Sequence, residues 1–501
     1  MEVVAAIAAW AISSACRNVP TNSLFAPLCN RGVNVEELAG RLSSGAKVYG
    51  PGSDIFVQAT TRWSSLDAPG IDVVVVPSVE NDVAETVKYG NEKNIPYLPV
   101  NGGHGAIITV GKMQGGIEIW MNALNTVEIA ADGKSAKIGG GTLSKTVTDS
   151  LWAAGKQTST GACECTSILG PGLGGGHGFN QGRYGLVADQ FLSMNIVLAD
   201  GSLQTIDETS DLWWAMKGAG HNFGIVTSVT SKIYDVESPD WAYVVYTFTG
   251  DKIEQLYEVA KNHLLKNGTQ PKDVVNYSYY INLPDVDPDN TVVLFYLLQG
   301  GVKVVDPEIT NPFVEVGPAA TTSAAGTYLD LPAWTGNGNE DSPCQKVGLV
   351  NTRFPLDVET YDIQAQRQVY DLFSKATHEN PALNGSLFLF EGYSLQGVKA
   401  VPAESTAVSY RGDNLLFSPL IIYPPEGEDL EKQAAQLGED LRQILHKATG
   451  RENMHTYVNY AFGTETKEQM YGFEDWRQKK LLDLKNKYDP NRKFSFYAPI
   501  A

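Results

Sequence analysis

The chain has 501 residues, of which 43% are hydrophobic and 19% are charged, so it can bury a large core and is not intrinsically disordered. A chain of this length is expected to form two or more domains, because domains typically contain about 100–200 residues. The 38 Lys and Arg residues against 57 Asp and Glu residues give a net charge of −19, which argues against partners such as nucleic acid or anionic lipid. No apolar run reaches the roughly 18–20 residues of a membrane-spanning helix.

The first 25 residues form an N-terminal segment whose role the sequence leaves open. Residues 3–16 are apolar, and the sequence SSA near their end suits cleavage of a signal peptide. No Lys or Arg precedes the apolar stretch, however, so an ordinary N-terminal helix is the alternative. Glycosylation sequons at Asn267, Asn276 and Asn384 are compatible with secretion. These features lean towards secretion without deciding between a secreted and an intracellular protein.

Residues 26–238 are predicted to form a first domain that begins with alternating strands and helices. Residues 72–77 contain four consecutive valines, which are typical of a strand covered on both faces. A helical pattern follows up to residue 91, and the next predicted strand, residues 95–100, ends at a tight glycine turn. This strand–helix–strand unit resembles a nucleotide-binding crossover, but it lacks the GxGxxG motif of a Rossmann fold.

A second domain is predicted over residues 239–450, after further strands and glycine turns complete the first. The later strands of the first domain are expected at residues 137–141, 195–201 and 225–233. In the second domain strands alternate with longer helices, which predicts an α+β domain with an antiparallel sheet. Its clearest elements are strands at 242–249 and 291–298 and helices at 253–265 and 361–375.

The last segment, residues 451–501, is expected to differ from both domains and to return towards the first. Residues 457–460, with the sequence YVNY, are predicted to form a strand, and residues 474–484 a helix. A turn with the sequence YDPN then leads into an extended C-terminus.

The most specific part of the sequence is a glycine-rich segment, residues 161–189. Glycine permits positive φ and close contact without a Cβ, and exposed N–H groups bind phosphate oxygens. One interpretation is therefore a loop that passes close to a flat, phosphate-bearing ligand, and the alternative is a flexible linker. Apolar residues are interleaved with the glycines and would not be left in water, which favours the ligand. The glycines are Gly170, Gly172, Gly174, Gly175, Gly176, Gly178, Gly182 and Gly185.

Two further glycine turns carry histidines. The sequence NGGHG follows the predicted strand at 95–100 and presents His104 with little shielding, so this side chain could act as a ligand, a base or a covalent anchor. A turn histidine without a role is the alternative. The third glycine turn, residues 216–226, leads into a predicted strand, and its His221 is expected to be structural, like His177.

In this order and spacing, the three segments resemble the FAD-linked oxidases of the vanillyl-alcohol oxidase type. The branch of berberine bridge enzymes and fungal oligosaccharide oxidases is the most similar, and the resemblance covers nearly the whole chain. It includes WWAMKGAGHNFGIV at residues 213–226, YVNY at 457–460 and YDPN at 488–491. It implies an α+β fold in which a two-part FAD-binding domain of the PCMH type is joined to a substrate domain with an antiparallel sheet.

The resemblance also implies that FAD is the cofactor and is attached covalently. The family histidine bonded to the flavin 8α-methyl group falls on His104, although Val100 stands where relatives often have Arg. Some relatives add a bond from a cysteine to flavin C6, and Cys163 matches that position, with Cys165 two residues beyond. The sequence Cys-Glu-Cys departs from the usual Cys-Pro, so we expect attachment through His104 and leave the second bond open.

No metal ligands are expected, and the predicted cofactor contacts come from the three glycine segments and the C-terminal motif. They are Asn101, Gly102, Gly103, His104, Gly105, Gly161, Cys163, Thr166, Gly170, Gly174, Gly175, Gly176, Gly178, Gly224, Ile225, Val226 and Asn459.

The implied reaction is a two-electron oxidation. A base removes a proton from a hydroxyl or amine while a hydride passes to flavin N5, and the electrons then reach O2 to give hydrogen peroxide. In the family, valine at the residue three after the cysteine admits oxygen and leucine blocks it. Thr166 occupies this position and is nearly isosteric with valine, which favours an oxidase over a dehydrogenase.

The proton acceptor is predicted to be a tyrosine, although relatives use Glu, Asp or Tyr. The corresponding strand, residues 414–425, carries no carboxylate, which leaves Tyr423, Tyr457 and Tyr460. The tyrosine pKa of about 10 must fall for the side chain to act as a base near neutrality. On a strand, Asn459 would share a face with Tyr457, which makes Tyr457 the first choice. Packing of each ring against the sheet or the flavin is the alternative.

The predicted partners are a small-molecule substrate and O2, and the oligomeric state cannot be read from the sequence. A specialised metabolite is favoured as substrate because the Cys-Pro signature of oligosaccharide oxidases is missing. The alternatives are an oligosaccharide oxidase, an enzyme of oxidative cyclisation or dehydrogenation in a biosynthetic pathway, and, from a different class, a non-catalytic flavin-binding protein.

Overall fold

The computed structural model describes residues 32–501. The predicted signal peptide therefore lies outside the described residues. None of the helices in the described part has both the length and the apolar character needed to cross a membrane.

A four-stranded sheet opens the described chain. Its strands are β1 (Lys47–Tyr49), β2 (Val73–Val76), β3 (Tyr97–Val100) and β4 (Ile117–Trp120), and its helices are α1 (Val35–Arg41), α2 (Asp54–Thr60) and α3 (Glu80–Lys93). The order is β1-β2-β4-β3, and β2, β4 and β3 run parallel. Val74 and Val75 are fully buried, as a strand covered on both faces requires. The two strands and the helix predicted in this part are confirmed.

A five-stranded antiparallel sheet follows. Its strands are β5 (Val127–Ile129), β6 (Ser135–Gly139), β8 (Phe191–Val197), β9 (Leu203–Asp207) and β10 (Ile225–Lys232), in the order β5-β6-β10-β8-β9. A ribbon pairs β7 (Lys156–Gln157) with β11 (Tyr234–Asp235). The helices are α4 (Ser144–Ala153), α5 (Leu169–Leu173), α6 (Gln181–Tyr184) and α7 (Trp213–Met216). Strands β6, β8 and β10 overlap the three strands predicted here.

The third sheet has eight antiparallel strands. They are β12 (Asp240–Phe248), β13 (Val274–Ile281), β14 (Val292–Gly300), β15 (Ala320–Thr327), β16 (Val350–Arg353), β17 (Leu356–Val358), β18 (Leu387–Gly392) and β19 (Leu415–Tyr423). The order is β15-β12-β14-β13-β18-β19-β16, and β17 also pairs with β19. The helices are α8 (Ile253–Val259), α9 (Pro307–Val316), α10 (Leu331–Trp334), α11 (Ile363–Glu379), α12 (Gln396–Lys399) and α13 (Glu428–Ala448).

The two faces of the third sheet are used differently. On β18, Phe388 and Phe390 are fully buried in the core formed with the helices. Leu387, Leu389 and Glu391 alternate with them and face a cavity on the other side of the sheet. Strand alternation therefore separates the side chains that stabilise this part from those that can meet a ligand.

The C-terminal segment corrects one prediction. The predicted strand at 457–460 is wrong, because Val458–Tyr460 forms a single 3-10 turn closed by the Tyr460 N–H on the Tyr457 carbonyl. The predicted helix is confirmed as α15 (Asp475–Tyr488), which α14 (Lys467–Tyr471) precedes. Buried Lys485 on α15 donates to the carbonyl of Asn222, which ties the C-terminus to the first part of the chain.

The predicted α+β fold, with FAD-domain sheets and a large antiparallel sheet in the substrate domain, is confirmed. The boundaries after residues 25, 238 and 450 remain predictions.

Candidate active site

A cavity of about 530 Å³ lies where the first part of the chain, the third sheet and the C-terminal segment meet. Fifteen of the predicted catalytic and cofactor-binding residues line it. They are Asn101, Gly102, Gly103, His104, Gly105, Gly161, Cys163, Thr166, Gly170, Gly224, Ile225, Val226, Tyr457, Asn459 and Tyr460.

Four glycines of the glycine-rich segment lie behind the cavity wall instead of on it. A Cβ on Gly174 would lie 2.2 Å from Asn459 Oδ1, and one on Gly178 would lie 2.0 Å from a backbone oxygen. Gly175 and Gly176 adopt φ of 108° and 84°, a region that favours glycine. Protein packing and backbone conformation therefore explain why glycine is needed at these four positions, and their predicted contacts with the cofactor stay a prediction.

His104 lies on the glycine turn that follows β3, with its ring on the cavity. The ring stacks on Trp63 with centroids 4.3 Å apart, and Nε2 donates to the Pro343 carbonyl at 2.8 Å. Burial, with the nearby Arg353 charge, lowers the pKa of His104 to about 3. The imidazole is therefore neutral, and Nδ1 keeps its lone pair.

The two cysteines of the Cys-Glu-Cys sequence are in different chemical states. Cys165 forms a disulfide with Cys344, so it is no longer a candidate for a bond to flavin. Cys163 is a free thiol that lines the cavity and donates to Asn337 Oδ1 at 3.1 Å. Burial raises the pKa of Cys163 to about 12, so the thiol is protonated at neutral pH.

Tyr423 is not part of the site, which corrects one of the three predictions for the base. On β19, Leu420 lines the cavity, whereas Ile421 and Tyr423 lie in the core beneath the helices. Successive side chains of a strand point to opposite faces, so Tyr423 cannot reach the cavity from its position.

Tyr457 lines the cavity, and its predicted contact with Asn459 is present although the predicted strand is not. The phenol oxygen accepts hydrogen bonds from Asn459 Nδ2 at 2.7 Å and from the His177 N–H at 3.3 Å. Burial raises the pKa of Tyr457, the opposite of the fall that a tyrosine base requires.

Tyr460 is hydrogen-bonded to a carboxylate, that of Glu391, which the sequence analysis did not predict. Its hydroxyl donates to Glu391 Oε1 at 3.0 Å, and the Tyr393 hydroxyl donates to Glu391 Oε2 at 2.7 Å. Burial raises the pKa of both Glu391 and Tyr460. The prediction considered only residues 414–425, whereas Glu391 lies on the neighbouring strand. In the sequence Glu391 alternates with the apolar Phe388 and Phe390, and this pattern could have placed it on the face of the strand opposite the core.

Arg353, also missed, lies above Tyr460. Its guanidinium carbon is 3.9 Å from the centroid of the Tyr460 ring and 5.1 Å from that of Trp63. Stacking therefore links His104, Trp63, Arg353 and Tyr460 along one side of the cavity.

The residues on the cavity fit a large ligand with polar edges. Asn101 and His221 line it, and their buried Oδ1 and Nδ1 atoms have no hydrogen-bond partners among the described residues. A Cβ on Gly102 would lie 2.5 Å from the Cys165 carbonyl oxygen, so the turn that presents His104 depends on glycine. Unsatisfied polar atoms beside glycine turns and aromatic rings suit FAD.

Comparisons with known proteins agree with this site. Residues 71–207 match the family described as FAD binding domain. FAD-linked oxidoreductase chyH of Penicillium rubens is 54% identical over 502 residues, with 100% of each chain covered. FAD-linked oxidoreductase chry5 of Gibberella zeae is 51% identical, with 95% of this chain and 96% of the relative covered.

Solved structures share the fold. BBE-like 1 of Physcomitrella patens has a TM-score of 0.77 at 21% identity, with 94% of this chain and 100% of that chain covered. Xylooligosaccharide oxidase of Myceliophthora thermophila has a TM-score of 0.79 at 18% identity, with 93% and 99% covered. Fold and site together define an oxidoreductase that uses FAD. The chain belongs to the family of FAD-linked oxidoreductases that includes these fungal relatives.

Proposed function

We propose that this enzyme is an oxidase of a hydroxyl-bearing small molecule, with a specialised metabolite favoured as substrate. FAD supplies the two-electron acceptor when it is bound, and O2 reoxidises it with release of hydrogen peroxide. The observation that carries the proposal is the hydrogen bond from Tyr460 to buried Glu391, in the cavity that also contains His104. A carboxylate buried beside a phenol on a cavity wall is an arrangement typical of proton removal, which favours an enzyme over a non-catalytic flavin-binding protein.

Tyr460 and Glu391 act together as the proton acceptor. The Tyr460 oxygen takes the proton of the substrate hydroxyl while its own proton moves to Glu391. The raised pKa of Tyr460 means that its phenolate does not form unaided, and the raised pKa of Glu391 makes that carboxylate a stronger base than usual. Arg353, over the ring, stabilises negative charge as it develops on the phenol.

Tyr457 is assigned to positioning instead of proton removal. Its oxygen already accepts two hydrogen bonds, from Asn459 and from the His177 backbone, and no carboxylate is hydrogen-bonded to it within residues 32–501. The phenol keeps its own hydrogen, which it can donate to a substrate oxygen beside Tyr460.

Covalent attachment of FAD is assigned to His104 alone. The neutral imidazole is held on the cavity wall by Trp63 and by the Pro343 carbonyl, and its Nδ1 carries the lone pair that could form the bond. Cys163 is protonated and hydrogen-bonded to Asn337, which disfavours it as a second nucleophile. The test is the visible spectrum of the protein before and after acid precipitation: yellow colour that stays in the pellet supports attachment, and colour in the supernatant opposes it.

Thr166 is assigned to oxygen access. It lines the cavity, and its hydroxyl donates to the Cys163 carbonyl at 3.0 Å, so the polar group is already satisfied by the chain. Thr166→Leu tests the choice of oxidase over dehydrogenase. We expect slower reoxidation of reduced flavin by O2 with an unchanged rate of reduction, and an unchanged oxygen reaction would oppose the assignment.

The substrate side of the cavity favours a compact, largely apolar molecule over an oligosaccharide. Tyr277, Tyr279, Ile281, Leu294 and Leu389 line it from the third sheet. Aromatic and aliphatic side chains of this kind recognise an apolar ring or chain. Release of hydrogen peroxide with panels of aromatic alcohols and of oligosaccharides tests the choice.

We further propose that the protein matures in an oxidising compartment. A disulfide joins Cys165 to Cys344, and such bonds persist mainly in secreted proteins. The sequons at Asn267 and Asn384 are exposed, whereas Asn276 is 1% exposed within β13 and is closed to glycosylation. Treatment with a glycosidase that removes N-linked glycans should increase the gel mobility of protein from the native host, and an unchanged mobility would oppose this proposal.

A further inference from the structure

Arg353 carries a buried positive charge that has no carboxylate partner. It is the last residue of β16, is 6% exposed, and lines the cavity. Its Nε has no hydrogen-bond partner, and within residues 32–501 no carboxylate lies at ion-pair distance from its guanidinium. A buried charge without a partner of opposite charge destabilises the folded protein, and a bound anion would remove this cost.

Other buried arginines of the chain are paired. Arg411 lies 2.8 Å from Asp189, with both side chains nearly inaccessible, and Arg442 pairs with buried Glu465. These two arginines, which have only a structural role, are each paired with a carboxylate. Arg353 has no such pair, and it faces a cavity.

The carboxylates nearest to the cavity are already committed to other donors. Glu391 accepts from Tyr460 and Tyr393. Asp341 Oδ2, also on the cavity, accepts the Gly338 N–H at 2.8 Å. Glu391 is near enough for its charge to act on Arg353, but its hydrogen bonds go to the two tyrosines and neither carboxylate bonds to the guanidinium, so the N–H groups of Arg353 are left for a bound molecule.

Two rings fix the guanidinium in place. Its carbon lies 5.1 Å from the ring centroid of Trp63 and 3.9 Å from that of Tyr460, and these cation–π contacts leave the N–H groups for hydrogen bonds. A guanidinium edge matches a planar anion with two oxygens, which it binds through two parallel hydrogen bonds. A carboxylate is the simplest organic group with this shape.

We propose that Arg353 binds a carboxylate of the substrate, close to the carbon that is oxidised. The inference rests on the proposed function and narrows it to hydroxy acids. Because the guanidinium lies over the ring of Tyr460, an anion that it binds lies beside the hydroxyl that removes the proton. The acid group and the oxidised hydroxyl are therefore separated by only a few bonds.

The test compares benzoate with benzamide, which differ in charge but little in shape, by the change that each causes in the visible spectrum of the flavin in the purified holoenzyme. We expect benzoate to bind at least tenfold more tightly than benzamide at pH 7.5. Arg353→Gln should abolish this preference and leave benzamide binding unchanged, and Arg353→Lys should retain part of it. Lys346→Gln is the matched control, because it removes another cation near His104 that bonds to a backbone carbonyl.

Equal affinity of the unmodified enzyme for benzoate and benzamide would overturn the inference, whether or not the Arg353 variants fold. So would a preference that survives in Arg353→Gln. If that variant changes only the flavin spectrum or potential, Arg353 serves the cofactor and the inference is wrong. The titration needs no turnover, so a failure of the oxidase proposal is seen separately, as absence of hydrogen peroxide.

Discussion

The hydroxyl of Tyr460 donates to Glu391 at 3.0 Å across the boundary between the C-terminal turn and β18. Neither residue suits proton removal from a hydroxyl by itself. Burial raises the pKa of the Tyr460 phenol, and the buried Glu391 carboxylate lies behind that phenol. Their hydrogen bond couples the two, so the phenol contacts the substrate while the carboxylate receives the charge-balancing proton.

This relationship predicts that Tyr460→Phe and Glu391→Gln each slow flavin reduction by about 10²–10⁴-fold, the usual contribution of general-base catalysis. Both substitutions keep the shape of the side chain and remove only its proton chemistry. Anaerobic stopped-flow measurement of flavin bleaching with substrate gives the rate directly.

Tyr423→Phe is the matched control, because it deletes a phenol hydroxyl from the core on the other face of the sheet. Its flavin reduction should stay within about threefold of the unmodified enzyme, well below the range of a lost base. If Tyr460→Phe and Glu391→Gln also stay within that limit, the coupled acceptor is wrong.

A second prediction concerns His104. His104→Ala should give a folded protein whose FAD is released by acid and whose flavin reduction is slower, because covalent attachment raises the flavin potential. His221→Ala is the control: His221 is another buried histidine on the cavity wall, hydrogen-bonded to the Gly170 carbonyl. Its flavin should stay in the acid pellet, and retention of flavin by His104→Ala would place the anchor elsewhere.

The sequence located the cofactor side of the site because local rules govern it. The turn that carries His104 depends on glycines whose spacing is visible in the chain, and strand β3 before it follows from its apolar pattern. The four valines of β2 identify a buried strand by the same reasoning.

The substrate side was harder to predict because it depends on which strands become neighbours. Glu391 and Tyr460 are 69 residues apart, and only the pairing of β18 with β13 and β19 brings the carboxylate over the C-terminal turn. Arg353 reaches the same wall from an edge strand. Short-range patterns also misassigned residues 457–460, where the aromatic residues suited a strand but a 3-10 turn forms.

A third prediction follows from the disulfide between Cys165 and Cys344. It joins residues 179 apart and ties the cofactor loop to the segment that contacts His104 through Pro343. Cys344→Ser should lower stability by about 2–4 kcal/mol, the usual effect of removing such a bond. Thermal unfolding with and without dithiothreitol measures it, because reductant should lower the midpoint of the unmodified enzyme and not that of the variant. Cys163→Ser, which breaks no disulfide, should retain the response, and an insensitive unmodified enzyme would contradict the prediction.

The last prediction concerns pH and Glu118, a residue of β4 that lies outside the catalytic pair. Its carboxyl is 1% exposed, and Oε1 has no partner. Burial raises the pKa of Glu118 from an ordinary 4.5 to about 7, against the opposing charges of Arg62 and Lys346. The folded protein therefore binds this proton more tightly than the unfolded chain does. The resulting stabilisation is complete below pH 4.5 and is lost as the pH rises through 7.

Glu118→Gln keeps the shape of the protonated side chain and removes its titration. The variant should match the unmodified enzyme near pH 4.5 and exceed it at pH 8 by about 2–3 kcal/mol, since one pKa unit corresponds to about 1.4 kcal/mol. Unfolding midpoints measured across this pH range test the difference. Glu128→Gln, at an exposed position of β5 in the second sheet, is the control and should follow the pH profile of the unmodified enzyme. A Glu118→Gln profile parallel to that of the unmodified enzyme would mean that this carboxyl is ionised in the folded protein at neutral pH, with Arg62 and Lys346 outweighing its burial.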